Sequence, residues 1–193
     1  MMSRILSQAR RLSSLRYSCF FALILIAILL MAVVIGISIA KEPARIEGVV
    51  TFNRQPRGHD SSLIIPAFDL PPVGGVHHDM FQNCGIYSDP IEAEKAVQSM
   101  EHGAVWITYQ EGLPEADIAA LQQKVAKQQF LLLSPFPGQR SQVVLSSWGS
   151  QLELDSAHDE RLEKFINRYR LGPATPERGA SCTGGFGSPL PRP

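Results

Sequence analysis

Apolar residues are distributed along this chain in three different ways. Residues 19–40, "CFFALILIAILLMAVVIGISIA", form one uninterrupted apolar run without a charge. Residues 41–57 are polar with a short apolar island, and 58–90 show little periodicity and are rich in Pro, Gly, Asp and His. Beyond Pro90 the pattern becomes regular, and helices and strands are expected there.

"EAEKAVQSM" predicts a short helix over 90–99, opening on Pro90 and acidic residues. "AVWITY", 104–109, is β-branched and aromatic and predicts a buried strand. "LPEADIAALQQKVAKQQ" predicts a longer helix. Pro114 suits its first turn, Glu115 and Asp117 its positive end, and Lys124 and Lys127 its negative end, while Ile118, Leu121 and Val125 share a face. "FLLLS", 130–134, and "QVVLSSW", 142–148, predict two more strands, with Gly149 and Ser150 turning the chain back into "QLEL".

The last helix has Asp155 or Ser156 as its cap, a stripe of Leu162, Phe165, Ile166 and Tyr169, and Gly172 where it should stop. The order β-α-β-β-(β)-α predicts an α+β fold: a small sheet with two main helices packed on one face. Ahead of it, 41–57 read as a linker with a short strand near 48–52. Residues 58–189 read as the domain, opening on a long irregular loop region that runs to Pro90, and 190–193 as a tail.

Charge changes the meaning of the apolar run. Arg4, Arg10, Arg11 and Arg16 precede it and no acidic residue does. At about 1.5 Å per residue the run is long enough to cross a hydrocarbon core of about 30 Å as a helix. The expectation is a transmembrane anchor from Cys19 to Ala40 in the cell membrane, with 1–18 cytoplasmic and the remainder extracytoplasmic. Ser38-Ile39-Ala40 also fits a cleavage site, but the run exceeds the roughly 7–15 residues of a signal-peptide core, which favours an uncleaved anchor. All 18 acidic residues but only 14 of the 18 basic ones follow Ala40, so the exported part carries about −4. It has no electrostatic footprint for nucleic acid.

Location decides what a cysteine can be. Cys84 and Cys182 are the two cysteines beyond the anchor, and an exported compartment lets a disulfide persist. A bridge between them would close a loop of nearly a hundred residues, worth roughly 4–5 kcal/mol in the chain-entropy model. It would pin two Gly/Pro-rich segments and remove Cys84 as a nucleophile.

The motifs "PPVGGVHHDMFQNCGIY", "SMEHGAVWITY", "SSWGSQLELDSAHD" and "YRLGPATPERGASCTGGFGSP" stand in order. Through them the chain, from about His59 to Pro189, resembles the bacterial membrane-anchored proteins of domain-of-unknown-function family 3105. The resemblance implies an exported α+β domain behind one anchor, with no established activity. It also implies a pattern of one His ahead of Pro-Pro, one after it, and an E-H-G triplet, matched here by His59, His77, Glu101 and His102. Gln98 and Gly74 depart from it, standing where family members often carry histidine and serine; a ligand set drawn from the family is short by one here.

His59, His77, His78 and His102 lie in the first half of the exported part. Imidazole is the commonest metal ligand. Met80 follows His77 by three, and Met100 precedes His102 by two, on one face if that stretch is extended. Thioether with imidazole suits copper, whereas His with Glu101 suits zinc. In the plainer reading Glu101 and His102 bond loop backbone and the methionines fill core gaps; His158 is expected exposed in the first turn of the last helix.

Ser134, Ser146 and Ser147 lack a G-x-S-x-G elbow, and the tail glycines lack a phosphate-loop lysine. No enzymatic chemistry is therefore expected, and Trp106 and Trp148 read as core. Two functions follow: a non-catalytic interaction or envelope module with an unidentified protein partner, or an extracytoplasmic copper- or zinc-binding module using His59, His77 and His102 with Met80, Met100 or Glu101.

Overall fold

The structure is a computed structural model that describes residues 20–35, 45–66 and 68–191. The chain divides into two units, Met1–Arg45 and Ile46–Pro193. In the first, residues 20–35 form helix α1. Among the described residues no helix is long and apolar enough to cross a membrane. Cys19 and 36–40, the two ends of the expected span, lie outside the described residues, as do 1–18, 41–44 of the linker and the last two residues of the tail.

The second unit is built on six strands: β1 (Val50–Thr51), β2 (Gly85–Ile86), β3 (Val105–Tyr109), β4 (Leu131–Pro135), β5 (Val143–Ser147) and β6 (Ser150–Leu154). They form one mixed sheet in the order β1-β6-β5-β3-β4-β2. Three further helices are α2 (Ala93–Glu101), α3 (Glu115–Ala126) and α4 (Arg161–Tyr169). β3 and β4 are parallel, with Val105 opposite Leu131, so the chain must cross over between them, and α3 is that crossover. β5 and β6 are an antiparallel hairpin in which Ser147 faces Ser150. Its turn needs Gly149, which sits at φ 71° in the left-handed region.

Strand alternation sends Val105, Ile107, Leu131, Leu133, Val143, Leu145, Leu152 and Leu154 into one buried cluster, joined by Leu121 and Val125 of α3 and Leu162, Phe165 and Ile166 of α4. This is the two-helix layer that the periodicity predicts. The opposite face also carries a helix. Ala96, Val97 and Met100 of α2 pack there on Trp106, Leu132, Trp148 and Cys182. The sheet is thus covered on both sides, because the apolar stripe of α2 has to be buried as well.

Several details differ from expectation. α2 continues to Glu101, past the expected end at 99, so the Met100–His102 stretch is helical and not extended. α4 starts at Arg161 and neither Asp155 nor Ser156 caps it. Asp159 lies closer to the first turn and accepts the Arg161 backbone N–H at 2.8 Å, whereas Ser156 Oγ accepts the His158 N–H at 3.1 Å. His158 therefore precedes the helix; it is exposed and meets Asp117 Oδ1 at 2.9 Å. The loop region is as irregular as expected, with β2 and isolated bridges of His59 with His77 and of Gln82 with Phe186 as its regular structure among the described residues.

Candidate functional site

α2 is buried on nearly all sides although half its residues are polar. Its apolar stripe meets the sheet, so the remaining face must be covered by chain able to bond to it. Two segments do this. His78 N–H and Gln82 N–H reach the Glu94 and Lys95 carbonyls at 3.3 and 3.1 Å, and Ser99 Oγ donates to the Gln82 carbonyl at 2.7 Å. From the C-terminal side Lys95 Nζ lies 3.7 Å over the Phe186 ring, and the Gly179 N–H donates to the His102 carbonyl at 2.9 Å.

These segments are fastened at three points. The Cys84–Cys182 disulfide closes a separation of 98 residues, and beside it the Cys84 N–H donates to the Cys182 carbonyl at 2.8 Å. Asn83 Nδ2 donates to the Gly185 and Gly187 carbonyls at 3.1 and 2.7 Å. The Gly149 N–H donates to the Val73 carbonyl at 2.7 Å, and Gln151 Nε2 to the Pro71 carbonyl at 2.8 Å, tying the start of the loop to the β5–β6 hairpin.

Within this frame three of the expected ligands converge. The Asp60 N–H donates to the His77 carbonyl at 2.8 Å and the His77 N–H to the Gly58 carbonyl at 3.1 Å, which sets His59 and His77 side by side. Their rings meet edge to face with centroids 4.9 Å apart, and Trp148 closes the other side of His77 at 5.7 Å. Glu101, from the last turn of α2, places Oε2 2.9 Å from His77 Nε2 and 3.5 Å from His59 Nε2. One donor atom from each of His59, His77 and Glu101 lies within 4.8 Å of the others. His77 and Glu101 are buried, whereas the His59 side chain is 44% exposed, so the cluster opens to solvent on that side.

The remaining candidates are elsewhere. Met100 faces the apolar cluster under α2 and is fully buried there, because at helical spacing it points about 200° away from His102. Met80 is exposed, in a turn where its N–H donates to His78 Nδ1. The soft thioether donors that favoured copper are therefore not placed with the histidines. His102 caps the C-terminal end of α2 and turns to the C-terminal segment, its Nδ1 2.6 Å from the Ser181 carbonyl and its Nε2 3.4 Å from Glu177. Ser134 and Ser146 are buried in the sheet, bonded to Trp106 Nε1 and Gln151 Nε2, and Trp106 is core.

The residue at the centre is one that sequence reasoning singled out as a departure from the family pattern and not as a ligand. Gln98 Oε1 lies 3.1 Å from His59 Nε2 and in close contact with His77 Nε2, and Gln98 Nε2 is 3.0 Å from His102 Nε2. Gln98, Glu101 and His102 are spaced i, i+3, i+4. Continuing the helix two residues past 99 would have put all three on one face.

The proton arrangement around His77 follows from one contact. Its Nδ1 is 2.7 Å from the Gly75 carbonyl, which can only accept, so Nδ1 carries a hydrogen. A neutral His77 then turns the lone pair of Nε2 toward the Glu101 and Gln98 oxygens. Three electron-rich atoms gathered in this way could be bridged by a cation.

No curated protein matches the chain, and no solved structure does. Residues 68–184, which include His77, Gln98, Glu101, His102 and both bridged cysteines, match the family described as "Protein of unknown function (DUF3105)", and the chain belongs to that family.

Proposed function

We propose that this chain is a membrane-tethered, extracytoplasmic metal-binding module whose cation is zinc, held by His59, His77 and Glu101. The tether is the uncharged run from Cys19 to Ala40 behind its basic flank. The observation that carries the metal reading is the hydrogen bond from His77 Nδ1 to the Gly75 carbonyl. It directs the lone pair of Nε2 at Glu101 Oε2, 2.9 Å away, and is the arrangement by which proteins orient an imidazole toward a metal. Two imidazoles and a carboxylate are hard-to-borderline donors that suit zinc, and Met100, buried in the core, offers no sulfur to the site.

The broader reading, a non-catalytic interaction or envelope module, is compatible with this one. It rests on the irregular loop, and much of that loop's buried polar chemistry is engaged in the histidine cluster.

The test is elemental analysis of the full chain, purified in detergent without chelator or His-tag, followed by zinc titration. Near-stoichiometric zinc is expected, and His59→Ala, at a half-exposed position, should weaken binding by at least about 100-fold without lowering thermal stability. Absence of zinc uptake, or unchanged affinity in His59→Ala, would overturn the metal reading and leave the cluster structural.

A further inference from the structure

Resting on that metal reading, we infer that Gln98 is the fourth donor of the site, binding the cation through Oε1, and that His102 is the positioning residue that keeps this oxygen, and not the amide nitrogen, facing it.

The orientation of a buried amide is read from its hydrogen bonds, and here they form a chain with one direction. It begins at the Ser181 carbonyl, next to the bridged Cys182. A carbonyl only accepts, so His102 Nδ1, 2.6 Å away, carries a hydrogen. His102 Nε2 has two neighbours, Gln98 Nε2 at 3.0 Å and Glu177 Oε2 at 3.4 Å; in the neutral ring, which the inference takes, it accepts from the nearer one, the NH2 end of Gln98. The oxygen end is left turned to His59 and His77. Gln98 is 4% exposed and His102 6%, so water does not compete for either contact.

Three of the donor pairs have the spacing of a shared ion, while Gln98 Oε1 and His77 Nε2 stand closer than that and would have to separate to admit one. Donors bound tetrahedrally at about 2.0–2.1 Å lie roughly 3.3 Å apart. His59 Nε2 is 3.1 Å from Gln98 Oε1 and 3.5 Å from Glu101 Oε2, and His77 Nε2 is 2.9 Å from Glu101 Oε2. The four atoms come from two elements. The 58–77 loop supplies both imidazoles, and one turn of α2 supplies both oxygens. Because Gln98 is neutral, the site presents a single formal negative charge, from Glu101, to a divalent cation.

Cobalt(II) separates these roles, since its visible spectrum reports the donors around it. The full chain in detergent is titrated with Co(II) alone and the absorption recorded for wild type, Gln98→Met, Gln98→Glu, His102→Phe and the double variant His102→Phe with Gln98→Glu. Gln98→Met keeps the volume and removes the oxygen; affinity should fall roughly 10–100-fold and the bands should move. Gln98→Asn, which withdraws the oxygen by one methylene, asks the same question should the methionine variant fail to fold.

His102→Phe removes the acceptor that holds the amide and should cost about 10-fold. Gln98→Glu should restore that loss in the double variant, because both ends of a carboxylate are oxygens and neither orientation is wrong. Wild-type affinity and spectrum in folded Gln98→Met or Gln98→Asn would overturn Gln98 as a donor while leaving the three-ligand site standing. Failure of Gln98→Glu to rescue His102→Phe would overturn the positioning role. If the wild type takes up no Co(II), the metal reading itself fails and this inference goes with it.

Discussion

On the α3–α4 side of the sheet, Val105, Ile107, Leu133, Leu145 and Leu152 meet apolar partners from both helices. On the α2 side the same strands present Trp106, Thr108, Ser134, Ser146 and Gln151, all buried and all bonded to particular partners. Burial against α3 and α4 is non-directional; each apolar side chain taken fully out of water contributes about 1.5–3 kcal/mol whichever neighbour it meets. Burial beneath α2 and its covering loops is directional, since each polar atom there costs free energy unless a named donor or acceptor lies in reach. The α3–α4 face is the larger apolar layer, and the α2 face has an apolar cluster of its own beside these polar groups. The α2 face holds its polar side chains in fixed geometry, and the histidine cluster lies on that side.

The comparison can be broken most directly at Phe165. Its side chain is fully buried among the leucines of the apolar face, and Phe165→Ala should lower unfolding free energy by about 3–5 kcal/mol in a denaturant titration. Zinc stoichiometry in the folded fraction should be unchanged. A loss below about 1 kcal/mol would mean that the α3–α4 face does not carry the stability assigned to it.

The disulfide sharpens the contrast. The double variant Cys84→Ser with Cys182→Ser releases the strap that holds the C-terminal segment against α2, and about 2–4 kcal/mol should be lost. Hydrogen exchange should rise first over 177–190 and around His102, while the amides of β4 and β5 stay protected. Uniform loss of protection would show that the two faces are not separable.

The smallest effect is expected at the rim. Arg140 holds the Glu153 carboxyl below its ordinary value of 4.5 by a bidentate pair at 2.6 and 2.9 Å, with Ser141 adding to it. A carboxylate whose folded value is depressed contributes fully above 4.5 and loses that contribution as pH falls through the folded value. Glu153→Gln should therefore melt slightly below wild type at neutral pH, and the gap should close as the solution is acidified beneath 4.5. A gap that widens in acid would contradict the pairing.

The legibility of the two faces in the sequence differs for the same reason that their energetics do. The helix over Glu115–Ala126 and the strands at Leu131–Pro135 and Val143–Ser147 follow from propensity and alternation within a few residues of the predicted limits. The site was only partly legible. His59, His77 and Glu101 stand out by residue type, but assigning Met100 and His102 to an extended stretch put them on one face, whereas α2 carries them apart. Gln98 is marked in the sequence only as a departure from the family pattern, and its residue type does not announce a ligand. Its place at the centre follows from the helix running on to Glu101 and from chain distant in sequence turning toward it.

By itself the sequence determined the order of the elements from β3 onward, the apolar stripes that α3 and α4 turn to the sheet, and, by leaving two cysteines beyond the apolar run, the pairing of Cys84 with Cys182. These are properties of neighbouring residues or of a count. Only the tertiary structure decided that α2 forms a third layer, that the Gly75 carbonyl fixes the His77 ring, and that Ser181 reaches across 79 positions to orient His102. A hydrogen bond selects its partner by distance and direction in space, and local periodicity contains neither.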